Sequence, residues 1–201
     1  PVEFGRRLIA PHLGRLLERH PQLEVNLRLS DDVVDLLGER VDVAVRLGST
    51  LVSDDVVSLG VGEFQRWLVA SPVYLARNEP VDAPQALLAH ECLRFDYGTA
   101  SQRWQFTAAG EVQQVAVRGR LHSNNADVLR EAALAGQGVA LLADWLVRDD
   151  VAGGRLLRLL EPYDISPGSA SGAISVLYLP NQRGSRRVAA FVEFLRELLA
   201  G

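Results

Sequence analysis

SNNADVLREAALAGQGVALLADWLV, residues Ser123 to Val147, is the stretch whose reading decides the fold class. Ser123, Asn124, Asn125 and Asp127 gather helix-opening residue types ahead of an apolar periodic run, and Gly136 closes it. Gly138 to Ala143 then follows at once as a short apolar segment, which reads as a buried strand. The same alternation appears upstream. Phe4 to Arg19 carries Leu8, Leu13, Leu16 and Leu17 at helical spacing, and His20-Pro21 ends the run. Val25, Leu27 and Leu29 alternate with polar residues as in a strand, and Val33 to Arg40 reads as a short helix. Val41, Val43 and Val45 form the next strand, closed by Gly48 and Ser49. Alternating strands and helices predict an α/β chain with mainly parallel sheets flanked by helices. Such sheets offer a ligand crevice at the carboxyl ends of their strands.

Working outward from there, Val56 to Gly60 and Phe64 to Ala70 are strand candidates separated at Gly62-Glu63, and Ser71-Pro72 opens a short helix. Leu93 to Leu121 is strand-like and irregular, with Phe95, Trp104, Phe106 and the alternating run Val112 to Val117. Ile165 to Gly172 reads as a loop, Ile174 to Leu179 as a strand, and Ser185 to Leu199 as a closing amphipathic helix.

Composition limits the function classes. The 201 residues are 48% hydrophobic and 23% charged, enough for a sizeable core and too apolar for a disordered chain. Net charge is −4, and the basic residues are all scattered arginines, so these residues lack the basic face that duplex binding needs. No apolar run is long enough to span a bilayer and no signal-peptide pattern is present, so the expectation is a cytoplasmic protein with no membrane contact. Cys92 is the single cysteine, which excludes an internal disulfide. The absence of methionine reads as a piece of a longer protein. His12, His20, His90 and His122 lack metal-ligand spacing, and Gly168 to Gly172 misses the nucleophile-elbow pattern because its centre is Ala170. The expectation is therefore no enzyme, no metal and no cofactor.

Several stretches, in order and at matching spacing, resemble the effector-binding domain of LysR-type transcription regulators. They are FGRRLIAPHLGRLLERHPQLEVNLRLSD (Phe4 to Asp31), RVDVAVRLG (Arg40 to Gly48), WLVASPVYLAR (Trp67 to Arg77), HECLRF (His90 to Phe95) and the Ser123 to Val147 segment. The resemblance implies a two-lobed fold like that of type 2 periplasmic binding proteins, with two crossover segments and an effector held in the interlobe cleft. Lobe I would comprise residues 1–62 and a returning helix at 180–201, with lobe II at 63–179. The family's first strand should precede Phe4 and is not among these residues. DNA contact is implied only through a winged helix-turn-helix domain N-terminal to them. Self-association as a dimer is also implied, with a tetramer open for the longer protein. A solute-binding protein of a transport system shares the fold and is the competing reading.

The implied effector partner directs attention to helix N-termini and strand ends, where unpaired N–H groups and the helix dipole attract polar ligand groups. One candidate set is Glu3, Phe4 and Gly5, with Ser30, Arg46, Leu47 and Gly48 at strand ends. The other is Ser123, Asn124 and Asn125, with Phe95 and Trp145 as an apolar wall. Phe4 stands where many relatives carry a hydroxyl residue that grips a carboxylate, which turns that spot toward an apolar or aromatic ligand. Each candidate has an ordinary structural alternative. In that alternative Ser123 or an asparagine caps a helix, Arg46 pairs with a surface acid such as Asp42 or Glu63, and the aromatics belong to the core.

Overall fold

A computed structural model describes residues 1–32, 36, 38–48, 55–97, 102–168 and 170–200. The short helix expected at Val33 to Arg40 lies largely outside the described residues, as does Ser49; Leu36 is described and buried. The chain divides into two compact units, residues 1–63 with 172–201, and residues 64–171.

The first unit opens with a helical run through α1 (Val2–Phe4), a π-type turn (Gly5–Ile9), a 3-10 turn (Ala10–His12) and α2 (Leu13–Arg19). Pro11 explains the break, because it lacks the N–H that a continuous α-helix requires there. Its sheet joins β1 (Ala44–Leu47), β2 (Val57–Glu63) and a late strand, Ala173–Tyr178, in antiparallel pairs, with the late strand in the middle. The sequence reading had assigned that late strand to lobe II. A strand belongs to the sheet whose backbone groups it satisfies, and an apolar run does not carry that information. The closing helix, Arg186–Ala200, packs along β2, with Leu199 close against Gly62. The segment around Val25, Leu27 and Leu29 forms no ladder among the described residues, so the expected strand is extended chain; Leu27 and Leu29 are each 37% exposed. Alternation sets which way side chains face, but a strand also needs a hydrogen-bonding neighbour.

In the second unit a five-stranded sheet has the order β7-β4-β8-β3-β9, built from β3 (Arg66–Ala70), β4 (Cys92–Phe95), β7 (His122–Ser123), β8 (Val139–Ala143) and β9 (Leu157–Leu159). β4 runs parallel to β7 and β8, while β3 is antiparallel to β8 and β9. The expectation of mainly parallel sheets is corrected here: across the chain the described pairings are mostly antiparallel. An unbroken apolar strand signals burial on both faces, not the direction of its neighbours.

That double burial is explicit in β3 and β8. Leu68, Ala70, Val139 and Leu141 enter one core with Trp104, Phe106, Val115, Val117 and Ile165. Val69, Ala140 and Leu142 enter a second core with Leu129, Ala133, Leu146 and Val147. The first core is closed by a hairpin, β5 (Gln102–Ala108) with β6 (Glu111–Val117), and by β10 (Asp164–Ser166) alongside β5. Ala109 and Gly110 both take positive φ, the two-residue turn whose twist suits a hairpin. The loop expected at Ile165 to Gly172 thus begins as a strand. The late strand of the first unit is β11 (Ala173–Tyr178). The second core is covered by α4 (Ala126–Leu134) and α5 (Asp144–Ala152); α3 (Pro72–Leu75) follows β3, and α6 (Arg186–Ala200) closes the chain. Two glycines pinch the start of β4. A Cβ on Gly119 would lie 2.0 Å from the Cys92 carbonyl oxygen and one on Gly138 2.4 Å from that of Glu91. No side chain fits either position without moving backbone.

Candidate functional site

The first unit gathers its candidate residues through backbone and side-chain hydrogen bonds. The Val2 N–H donates to Asp31 Oδ1 at 2.9 Å, fastening the start of the helical run to the turn after the extended segment. Within that turn Ser30 Oγ accepts from the Asp32 N–H at 3.1 Å, and the Asp32 carbonyl accepts from an Arg46 guanidinium nitrogen at 3.1 Å. Glu3 is buried and holds Arg6 at 2.8 Å and Arg7 at 3.1 Å. Phe4 is fully buried, and Gly5 is so close to Leu29 that a Cβ there would meet Leu29 Cδ2 at 2.2 Å. Gly48 turns the chain at φ +88° and its N–H donates to the Ala173 carbonyl at 2.9 Å, while Leu47 is half-buried beside it.

Arg46 is the chemically exposed member of this set. It lies in β1 opposite Ser175, its Nε is buried with no hydrogen-bond partner, and burial holds the guanidinium below its ordinary pKa. Neither acid proposed as its structural partner takes it among the described residues; Asp42 turns to Arg187 at 3.5 Å. A desolvated guanidinium without a carboxylate is costly unless something else supplies negative charge or acceptor oxygens.

In the second unit Phe95 ends β4 directly beside Ser123 in β7. Ser123 Oγ accepts from the Asn125 N–H at 3.1 Å, and the Ser123 carbonyl accepts from the Asp96 N–H at 2.9 Å. The cap of α4 is Asn125, whose Oδ1 accepts from the Val128 N–H at 3.1 Å; Ser123 is not the cap. Ser123 is still inside the strand, and a capping side chain must sit one residue before the helix to reach its free N–H groups. Asn124, between them, is exposed. Phe95 and Trp145 both pack, partly buried, against the core beneath α4. The unit therefore brings all five of its candidates to one end of α4 and α5.

Sequence reasoning passed over Arg66. Its guanidinium carbon lies 4.8 Å from the centre of the Phe64 ring, and a terminal nitrogen donates to the Ala170 carbonyl at 3.2 Å. An arginine opening an otherwise apolar strand, Arg66-Trp67-Leu68-Val69-Ala70, was the available signal. Other titratable groups are closed in. The Tyr74 hydroxyl accepts from the Glu91 N–H at 3.2 Å and shares a hydrogen bond with His90 Nδ1 at 3.0 Å. Burial pushes the Cys92 thiol up to about 12, which leaves no reactive thiolate at neutral pH. Among the described residues no cluster of His, Cys, Asp or Glu is placed to hold a metal, and no helix is long and apolar enough to cross a membrane.

The family model described as the LysR substrate binding domain matches residues 1–200. The chain belongs to the LysR substrate-binding domain family. The HTH-type transcriptional regulator PtxR of Pseudomonas aeruginosa is 34% identical over 199 residues, covering 99% of this chain and 62% of the relative. The HTH-type transcriptional regulator DmlR of Escherichia coli is 30% identical, covering 98% of this chain and 62% of its own length. The chain thus spans about three fifths of the curated relatives it matches. Among solved structures, the regulatory domain of CrgA, a LysR-type transcriptional regulator from Neisseria meningitidis, superposes with a TM-score of 0.79 at 25% identity, covering 98% of this chain and 94% of that domain. These matches establish the fold class of the LysR regulatory domains and do not favour the transport-protein reading.

Proposed function

We propose that this LysR-family domain is the effector-binding part of a transcription regulator whose DNA contacts lie outside these residues. The observation that carries the reading is Arg46, a half-buried guanidinium at a strand end with no carboxylate partner among the described residues. The effector is a small organic molecule with an acidic or strongly hydrogen-bonding group for Arg46. Ser30, Leu47 and Gly48 surround that group, and Glu3, Phe4 and Gly5 hold the helix start in place. Ser123, Asn124, Asn125, Phe95 and Trp145 supply the second unit's contacts. Binding changes transcription only if the effector has different affinities for two arrangements of the full-length protein. The test is a thermal-unfolding screen of aromatic and aliphatic acids, each against its neutral amide. A true effector at a hundred times its Kd adds about 2.7 kcal/mol of stability. Arg46→Gln and Asn124→Ala should each reduce that gain, and a gain untouched by both variants would refute the assignment.

The domain self-associates as a dimer in this proposal. Leu17, Leu27 and Leu29 are 37–39% exposed on the first unit, apolar surface that a partner would cover. Sedimentation equilibrium showing only monomer at micromolar concentration would contradict it.

A further inference from the structure

Four arginines are displaced from the ordinary arginine pKa, two in each direction. Arg19 and Arg130 are held above the ordinary arginine pKa by hydrogen bonds to Glu197 and Asp150 respectively. Arg46 and Arg66 are held below it, with burial the largest cause in both. Arg46 belongs to the effector reading above; Arg66 belongs to nothing yet described.

Arg66 opens β3 and is half-buried. One face of its guanidinium is backed by the Phe64 ring at 4.8 Å, and its donors meet the Ala170 carbonyl at 3.2 Å and the Tyr97 hydroxyl. A guanidinium has five N–H donors in one plane, so these two acceptors leave most of the fork open. Asp164 acts on it only through space and closes no ion pair. The Tyr97 side is accessible, since Tyr97 is 44% exposed and its ring lies 4.9 Å from that of Phe95. The assembly is a planar cation with an aromatic back, an aromatic side wall and, among the described residues, no ion-paired carboxylate. That is the arrangement by which arginine receives a carboxylate in two parallel hydrogen bonds.

We infer that Arg66 is an oxyanion receptor in the second unit, taking a carboxylate of the effector against the Phe64, Phe95 and Tyr97 rings. The inference rests on the effector reading and names the ligand class: an organic acid with an apolar, ring-sized body. It also supplies a means of sensing. Phe64 is the first residue of the second unit and Ala170 the last but one, in the segments by which the chain enters and leaves it. One guanidinium therefore holds both segments. A carboxylate that draws the Arg66 donors competes with the Ala170 carbonyl for them, so occupancy is felt in the exit segment.

The experiment titrates the domain with phenylacetate, with its neutral amide phenylacetamide and with inorganic phosphate, following the arginine Nε–H resonances and the heat of binding. Phenylacetate should saturate and shift the Arg66 resonance, with phenylacetamide inert. Arg66→Gln should weaken phenylacetate by about tenfold or more, the loss of one charge-assisted contact. Arg66→Lys, which keeps the charge without the planar fork, should lose several-fold and guards against a folding defect in the glutamine variant. Saturation should also change amide exchange near residues 170–172 in the wild type. No saturable phenylacetate binding, or equal affinity in Arg66→Gln, overturns the inference. Equal, Arg66-dependent binding of inorganic phosphate overturns the carboxylate assignment. Binding lost in Arg46→Gln but intact in Arg66→Gln overturns it while leaving the effector reading standing.

Discussion

The end of α5 and the start of β3 solve the problem of a buried arginine in opposite ways. At the end of α5, Asp150 is 1% exposed and gathers two arginines: Arg130 at 2.5 and 2.9 Å, and Arg155 at 2.5 and 2.9 Å. Burial alone would raise its carboxyl pKa, but the two guanidiniums outweigh that and hold it below the usual carboxylate value. Asp127 and Glu131 add further contacts to Arg130 along α4. Among the described residues, Arg66 at the start of β3 has a ring, a carbonyl and a hydroxyl but no carboxylate, and Arg46 on β1 has the Asp32 carbonyl and no carboxylate. The first region is finished and structural. The second kind of arginine is left incomplete, and an incomplete charge is where a ligand adds most.

Breaking the finished region should have the largest effect. Asp150→Asn leaves Arg130 of α4 without its main counter-charge, and a loss of about 3 kcal/mol is expected in chemical denaturation. Because the folded carboxyl pKa is depressed, Asp150's contribution is fully present above the ordinary value of 3.8 and is lost as pH falls from there through the lower folded value. The acid limb of the wild-type stability profile should therefore be shallower in Asp150→Asn. An unchanged profile would mean that the hub is not the electrostatic anchor described. A middle effect comes from the other end of α4. Asn125→Ala removes the cap on Val128 and should cost about 1 kcal/mol; no loss would indicate that Asn125 serves only a ligand. The smallest stability effect is expected where the charge is unpaired. Arg46→Gln should change unfolding free energy by less than about 0.5 kcal/mol, since no ion pair is broken. A loss comparable to that of Asp150→Asn would erase the contrast between the two kinds of arginine.

Much of this was legible along the chain. Ser123 to Ala143 reads as a helix and then a strand, and the structure places α4 and β8 there because apolar spacing is a local property; the following α5, Asp144–Ala152, was not read from the sequence. Arg46 at a strand end was also readable. Other features were not. The cap fell to Asn125 because Ser123 is taken up in pairing with β4, a partner some thirty residues upstream. Val25 to Leu29 has strand alternation and no ladder, and Ile165 looked like loop yet pairs with Phe106.

The sequence by itself determined the apolar periodicities, the Ser71 cap and the motifs of the family, all of which depend on residues near one another in the chain. Only the tertiary structure decided which strands pair and in which direction, which sheet receives Ala173–Tyr178, and which arginines find an acid. Hydrogen-bond satisfaction and desolvation are properties of surroundings assembled from distant residues. Arg66 and Arg130 are alike as letters, and they differ because Asp150 reaches Arg130 and, among the described residues, no carboxylate closes on Arg66.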